Sequence, residues 1–496
     1  MDKKYILSLD AGTTSSRSII FDKNGNQIAI SQYEFEQFFP NKGWVEHDPE
    51  EIWISQLKSI KNVIKLAKID PDEIDSIGIT NQRETTVIWN KKTGKPIYNA
   101  IVWQDRRTAS ICEDLISQYD SSFCIKSFIQ NKTGLILDAY FSGTKIKWIL
   151  DNISNARNKA DKGELAFGTI DTWLIWKLTN GKHHITDATN ASRTMLYNIH
   201  NLEWDNELLE LLDIPINILP KVCESSEIIG EAEIIGKKIK ISGIAGDQQA
   251  ALFGQLCLKS GDVKNTYGTG CFCIMNTGKN PVKSKNKMLT TIAYQINGET
   301  TYAIEGSVFV AGALIQWLRD KLDLIDSASE IEKLANSVDN NGGITFIPSL
   351  SGLAAPYWDP HATGHIMGIT RDTSKGHIAM ASLEAIALRC KEIVIAMQKD
   401  SNAKFNTLKV DGGASNNDLL MQIQANVLKS DVIRPKITET TALGAAFLAG
   451  LATGFFKDLK TIKKIWKKDK LFKPKKDSNI EDTFNLWNKR INQIIK

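Results

Sequence analysis

The chain of 496 residues lacks a strong excess of either charge: 61 Lys and Arg stand against 57 Asp and Glu, a formal net charge of +4. So small a balance gives no global field for nucleic acid or for a strongly acidic partner. Metal-binding cysteine spacing is also missing. The seven cysteines fall at 112, 124, 223, 257, 271, 273 and 390, and only Cys271-Phe272-Cys273 is closely spaced. That alternation sets both thiols on one strand face, so the cysteines read as reduced core residues of a reducing compartment. Long apolar runs are absent too. The most apolar stretch, 442–452, is rich in Gly and Ala and too short to span a bilayer. The apolar-biased stretch ahead of Asp10 is too short for the h-region of a signal peptide. Together these absences predict a soluble, cytoplasmic protein. Arginine is scarce beside lysine, so each arginine stands out, and Arg17, Arg83 and Arg193 lie in motif-like stretches. The ten lysines of 457–476 read as a solvated helix and loop.

What the chain does have is a phosphate-binding turn near the start of each half. The first is Ile6-Leu7-Ser8-Leu9-Asp10-Ala11-Gly12-Thr13-Thr14-Ser15-Ser16-Arg17, an apolar strand, an acid at its end and a turn of Gly, Thr and Ser. The second is Asn265-Thr266-Tyr267-Gly268-Thr269-Gly270-Cys271-Phe272. Small residues in such turns let backbone N–H groups and hydroxyls converge on an anionic oxygen. The Asp10 carboxylate repels phosphate unless a cation lies between them, which implies Mg²⁺ with a nucleotide. One Asp-x-Gly-Thr turn is weak evidence, since ordinary hairpins use it. Two turns about 255 residues apart point to a duplicated nucleotide-binding domain of the ribonuclease H-like, actin-like ATPase kind.

Strand-like runs at 5–9, 18–21 and 27–32, a helix over 51–67 behind Asp48-Pro49, and a strand over 74–80 give an α/β pattern. We place a domain boundary near residue 253, with 1–252 carrying polyol and phosphate sites and 253–496 the nucleotide site. The cleft between them is the expected ligand site. Four stretches are more polar than their surroundings. Thr80-Asn81-Gln82-Arg83-Glu84-Thr85 ends an apolar strand, where α/β folds bind ligands, and an adjacent Arg and Glu suit the hydroxyls of a small polyol. A surface salt bridge is the competing reading. In Gly246-Asp247-Gln248-Gln249-Ala250, Asp247 reads equally as a helix cap or as a general base, with Gln248 as a hydroxyl ligand. Lys409-Val410-Asp411-Gly412-Gly413-Ala414-Ser415-Asn416-Asn417 is a strand end and helix start open to a base or ribose. The small residues at 307, 311 and 313 suggest close packing, or a nucleotide-facing helix.

With these motifs in order, the chain resembles the FGGY carbohydrate kinase family over nearly its whole length. Tyr140-Phe141-Ser142-Gly143-Thr144-Lys145-Ile146-Lys147-Trp148-Ile149-Leu150-Asp151-Asn152 is similar to the first family signature. Gly364-His365-Ile366-Met367-Gly368-Ile369 with His377-Ile378-Ala379-Met380-Ala381-Ser382-Leu383-Glu384 is similar to the second. Gly43-Trp44-Val45-Glu46-His47-Asp48-Pro49, Asn81-Gln82-Arg83-Glu84-Thr85 and Gly246-Asp247-Gln248-Gln249 resemble its glycerol-phosphorylating branch. The resemblance implies ATP-dependent phosphorylation of glycerol to sn-glycerol 3-phosphate. By position, Arg83, Glu84, Tyr140, Asp247 and Gln248 would hold the hydroxyls, with Trp103 and Phe272 against the carbon chain and Asp247 as base. Asp10 and Asp247 would position Mg²⁺. Thr13, Thr14, Ser15, Arg17 and Thr269 would meet the ATP phosphates, and Gly312, Gln316, Gly413 and Asn417 would line the nucleotide site. Family resemblance further suggests a homodimer or homotetramer.

Two regions differ from regulated bacterial members. The segment 234–240 is shorter and less glycine-rich than the loop that binds fructose 1,6-bisphosphate, with Lys238 where those proteins carry arginine, and it has no histidine to act as a phosphoryl acceptor. Residues 473–496 do not resemble the surface that docks the glucose-specific phosphocarrier. The rival readings are a kinase of xylulose, ribulose or gluconate, which needs a roomier pocket, a polymerising or chaperone-type ATPase, which needs no polyol pocket, and a kinase fold kept only for binding or regulation.

Overall fold

In a computed structural model, which describes residues 3–119, 124–359, 361–475 and 480–495, the first turn joins two strands of a six-stranded sheet. The order is Ser226–Ile234, Lys237–Gly246, Ile74–Asn81, Tyr5–Ala11, Ser15–Asp22 and Gln27–Glu34. Tyr5–Ala11 runs parallel to Ile74–Asn81, which runs parallel to Lys237–Gly246. From Ile6 to Ala11 every residue is buried, as expected of a strand covered on both faces. The register sets Asp10 beside Thr80 and Thr80 beside Ala245. Asp10, Gln82-Arg83-Glu84 and Asp247 therefore lie together at the C-terminal ends of three interior strands.

The helix Pro49–Ala67 packs on the strands Ser15–Asp22 and Gln27–Glu34. Its ends follow the sequence: the Asp48 carboxylate accepts from the Glu50 N–H, proline takes the first turn, and Lys68 closes the helix in the left-handed region. The segment 234–240 is a tight hairpin whose turn is Ile235-Gly236, both with positive φ.

The second half repeats the plan. Its seven strands run Leu289–Ile296, Glu299–Val308, Cys271–Gly278, Val263–Tyr267, Leu408–Asp411, Val432–Pro435 and Lys468–Phe472. Again the strand before the turn has an antiparallel partner after it and a parallel partner on its other side. Cys271 and Cys273 are buried in the core on one face, while Phe272 points the other way. The lysine-rich segment differs from expectation. It forms the helix Leu459–Ile465 and then an edge strand, Lys468–Phe472, where exposed lysines guard an unpaired strand edge. Residue 476 lies outside the described residues.

One helix ties the halves together. Thr440–Thr453 belongs to the second half by chain position but lies across the first sheet and against the helix Asp247–Gly254. The contact is backbone to backbone. A Cβ on Gly444 would sit 1.8 Å from the Ala250 carbonyl oxygen, and one on Gly254 2.1 Å from that of Thr440. The hydroxyls of Ser8, Ser226 and Ser242 donate to the carbonyls of Ala442, Leu448 and Ala449. A single apolar core containing Ile6, Phe21, Phe253, Phe447 and Phe456 spans both halves.

Candidate active site

The expected polyol residues converge, and they do so around a buried charge network rather than a surface pair. Arg83 donates from Nη1 to Glu305 Oε2 at 2.5 Å and from Nη2 to Glu305 Oε1 at 3.0 Å. Arg193 donates from Nε to Glu84 Oε1 at 2.6 Å and from Nη2 to Glu305 Oε1 at 3.2 Å. Arg83 Nε also lies 3.1 Å from Asp247 Oδ1. Arg83, Glu84, Arg193 and Glu305 are all at most 3% exposed. Burial raises the Glu305 carboxyl, but the Arg193 and Arg83 guanidiniums overcome it and hold the group down at about 2. Glu84 adopts φ +60°, a left-handed conformation costly for a side chain with a Cβ. The network supplies the contacts that hold it there.

Three aromatic rings close the other side. Trp103 makes edge contacts with Tyr140 at 5.7 Å and with Phe272, from the second half, at 6.3 Å. The buried Lys145 ammonium fixes the Tyr140 loop by donating to the carbonyls of Ala139, Tyr140 and Phe141. Burial and the Glu84 carboxylate push the Tyr140 phenol up, so it stays protonated.

Asp247 sits at the floor of this site with its side chain 33% exposed. Of its two readings, helix cap and general base, the N-cap is not seen. Gly246 is the cap, and Asp247 is the first helical residue, its Oδ1 accepting from the Gln248 N–H at 2.7 Å. The reason is register: the strand Lys237–Gly246 runs directly into the helix. Burial pushes the Asp247 carboxyl up, and the Glu84 carboxylate adds to this. Arg83 and Lys264 pull it down, leaving it at about 6.

The phosphate residues divide. In the first turn the Gly12 N–H donates to the Ser15 carbonyl at 2.9 Å. Thr13 accepts from Trp103 Nε1 at 3.1 Å, and Thr14 is exposed. The Ser15 hydroxyl is engaged within the fold, accepting from Gln32 Nε2 at 2.9 Å. The Arg17 guanidinium is held between Asp10 at 2.6 Å and Glu439 at 2.9 Å. In the second half the Thr269 carbonyl accepts from the N–H groups of Ala311 and Ala313, and the Gly268 carbonyl from Gly312. Thr269 is thereby seated at the start of the helix Gly312–Asp320, on which Gln316 is exposed. A Cβ on Gly412 would lie 2.6 Å from the Tyr267 carbonyl oxygen, and its φ is +83°, so both space and conformation demand glycine. That brings the Gly412-Gly413 turn against the second phosphate turn. Gly413 faces open space, while the Asn417 side chain caps the helix Asp418–Leu428.

Among the described residues no three acidic, His or Cys side chains gather as a metal site. Asp10 and Asp247 emerge two strands apart, about 10 Å between backbones. Such a pair fits a cation held mainly by water and phosphate, as Mg²⁺ usually is, rather than a protein cage. No helix among the described residues is long and apolar enough to cross a membrane.

Arg193 and Glu305 were not assigned to the site from sequence, although Arg193 stood out as a scarce arginine. The available signal for Glu305 is an acid directly after the apolar run Tyr302-Ala303-Ile304, in the buried middle of the strand Glu299–Val308.

The sequence pattern of the N-terminal domain of the FGGY family of carbohydrate kinases matches residues 5–254, and that of the C-terminal domain residues 263–453. A glycerol kinase of Deinococcus radiodurans is 57% identical over 475 residues, covering 95% of this chain and 94% of the relative. Glycerol kinase 2 of Sulfolobus acidocaldarius is 57% identical over 496 residues, covering 100% and 98%. The crystal structure of Plasmodium falciparum glycerol kinase with ADP superposes with a TM-score of 0.93 at 36% identity, covering 100% of this chain and 99% of that one. The chain belongs to the FGGY family of carbohydrate kinases.

Proposed function

We propose that the protein is a cytoplasmic enzyme that transfers the γ-phosphoryl group of ATP to glycerol, giving sn-glycerol 3-phosphate and ADP. The observation that carries this reading is that the rings of Trp103, Tyr140 and Phe272 lie together beside the charged set of Arg83, Glu84 and Asp247. Apolar rings suit a three-carbon chain, and charged groups suit its hydroxyls. The relatives named glycerol kinase, 57% identical over nearly the full chain, support the same choice.

In this mechanism Arg83, Glu84, Tyr140 and Gln248 orient glycerol, and Asp247 accepts the proton of the attacking hydroxyl. With a carboxyl near 6, Asp247 is ionised at neutral pH yet more basic than an ordinary aspartate, which suits a general base. The hydroxyl oxygen forms a bond to the γ-phosphorus as the bond to the β-phosphate bridging oxygen breaks, and ADP leaves. Thr13, Thr14 and Thr269 meet the phosphates, with Ser15 and Arg17 completing the first turn. Gly312, Gln316, Gly413 and Asn417 line the base and ribose. Asp10 and Asp247 would hold Mg²⁺ beside the phosphates, where it neutralises charge that develops during transfer. Closure of the cleft over bound substrates would exclude water, the competing nucleophile. We expect a homodimer or homotetramer.

The test is a coupled assay of ADP release with glycerol, dihydroxyacetone, xylulose, ribulose and gluconate, and with no acceptor. Strict dependence on glycerol supports the proposal. A preference for a pentose or gluconate moves the substrate elsewhere in the family, and acceptor-independent turnover favours an ATPase.

A further inference from the structure

Behind the acceptor site lies a cation that neither the polyol nor the phosphate residues account for. Lys264, in the strand Val263–Tyr267, is 0% exposed. Its ammonium donates to Gln248 Oε1 at 2.5 Å and to Thr266 Oγ1 at 2.6 Å. The Thr266 hydroxyl in turn donates a hydrogen bond to Asp411 Oδ1 at 2.5 Å. The other oxygen of Asp411 accepts from Thr440 at 2.5 Å and from Gln255 at 3.0 Å. The chain of contacts thus runs from the helix that starts at Asp247 to the Asp411-Gly412-Gly413 turn on the nucleotide side, and on to the helix Thr440–Thr453 that joins the halves.

An ammonium has donors and no acceptor, so only the oxygen of the Gln248 amide can meet it. This fixes which end of a nearly symmetric group faces elsewhere. Gln248 Nε2 has no hydrogen-bond partner among the described residues and is not among the buried, unsatisfied atoms. It is left free beside Asp247 at the floor of the site. A buried lysine is costly by itself. Here burial lowers the pKa of the ammonium, and the nearby carboxylates of Asp411, Asp247 and Glu305 counter only part of that cost.

We propose that Lys264 is a positioning residue for the transfer: it pins the Gln248 amide oxygen so that the NH₂ group is presented to a substrate hydroxyl, and it anchors that amide to the nucleotide-side turn through Thr266 and Asp411. The hydroxyl at Gln248 then accepts a hydrogen bond and keeps its own proton to donate to a carboxylate. This rests on the glycerol kinase reading, which wild-type turnover with glycerol tests first and separately.

The experiment is a double-mutant cycle with Lys264→Met and Gln248→Ala, reading KM for glycerol and for ATP with kcat, alongside thermal melts. Lys264→Met is expected to lower kcat/KM for glycerol about 10- to 100-fold, as for a lost charge-assisted hydrogen bond, with KM for ATP changed by less than about threefold. The double variant is expected to match Gln248→Ala, because Lys264 acts through Gln248. Fully additive losses, or equal losses toward glycerol and ATP, would overturn the proposal in favour of a role in the fold alone. Lys264→Gln restores a donor and is expected to recover part of the glycerol affinity lost in Lys264→Met. Should the buried methionine prevent folding, Gln248→Glu decides. It keeps an oxygen for Lys264 but has no N–H, so a wild-type KM for glycerol would overturn the proposal and a raised one supports it.

Discussion

Asp247→Asn separates chemistry from stability, because the structure predicts opposite signs for the two. Asparagine keeps the size and one oxygen for the Gln248 N–H and Arg83 but cannot take a proton. Loss of a positioned base costs about 10²–10⁴ in rate, and kcat should fall within that range while ATP still binds. Stability should move the other way. The Asp247 carboxyl rises from 3.8 to about 6 on folding, a difference of roughly 2 pH units or about 3 kcal/mol. A third of the side chain meets water, so about 1–1.5 kcal/mol is the fair figure after screening. The folded protein holds this proton more tightly than the unfolded chain. Stability therefore falls as pH rises from about 4 to about 6, and the full cost is present at pH 7. Asparagine removes it, so the variant should melt at or slightly above the wild-type temperature. The same titration sets the acid limb of wild-type kcat/KM near pH 6, falling tenfold per unit below it. The assays are steady-state kinetics, ATP binding by calorimetry and a melt, all on one preparation. A kcat within a few-fold of wild type would refute Asp247 as base. A melting temperature lowered by ten degrees would refute the electrostatic reasoning and make the residue structural.

The other expected outcomes concern neighbouring groups. Arg83→Ala and Glu84→Ala should each raise KM for glycerol about ten- to a hundredfold, and wild-type glycerol kinetics in both would dismiss the assignment. Because the buried Glu305 carboxylate sits between two guanidiniums, Glu305→Gln should cost about 3–5 kcal/mol of stability, read by denaturant unfolding. A loss under 1 kcal/mol would show that the arginines find other partners. The short hairpin at Ile235-Gly236, with Lys238 as a point charge rather than a fork, predicts little or no inhibition by millimolar fructose 1,6-bisphosphate, and strong inhibition by micromolar effector would contradict it.

How much of this was legible in the sequence depended on distance along the chain. The strand–acid–turn around Asp10 and the Asp48-Pro49 helix start are local patterns, and the chain forms both. Trp103, Tyr140 and Phe272 were brought together by family resemblance, not by periodicity, and the rings do touch. Asp247 was legible as a special residue, but its exact place at the helix start was not, since strand and helix abut with no loop between them. Arg83 and Glu305 lie 222 residues apart, and no local signal couples them. Lys264 gave a faint one, a charge in a strand otherwise buried at nearly every position. The partner that makes that charge tolerable, Asp411, follows more than a hundred residues later.

The helix Thr440–Thr453 sets a schedule for synthesis. Ser8 donates to the carbonyl of Ala442 across 434 residues of chain. At about 5–20 residues per second a ribosome needs roughly 20–90 s to cover that interval. Throughout it, the apolar face formed by Ile6, Ile19 and Phe21 has no helix to lie against it. The first half is thus committed to waiting for the second. An N-terminal fragment ending near residue 254 should emerge sticky and protease-sensitive, a natural client for a holdase until the last tenth of the chain arrives.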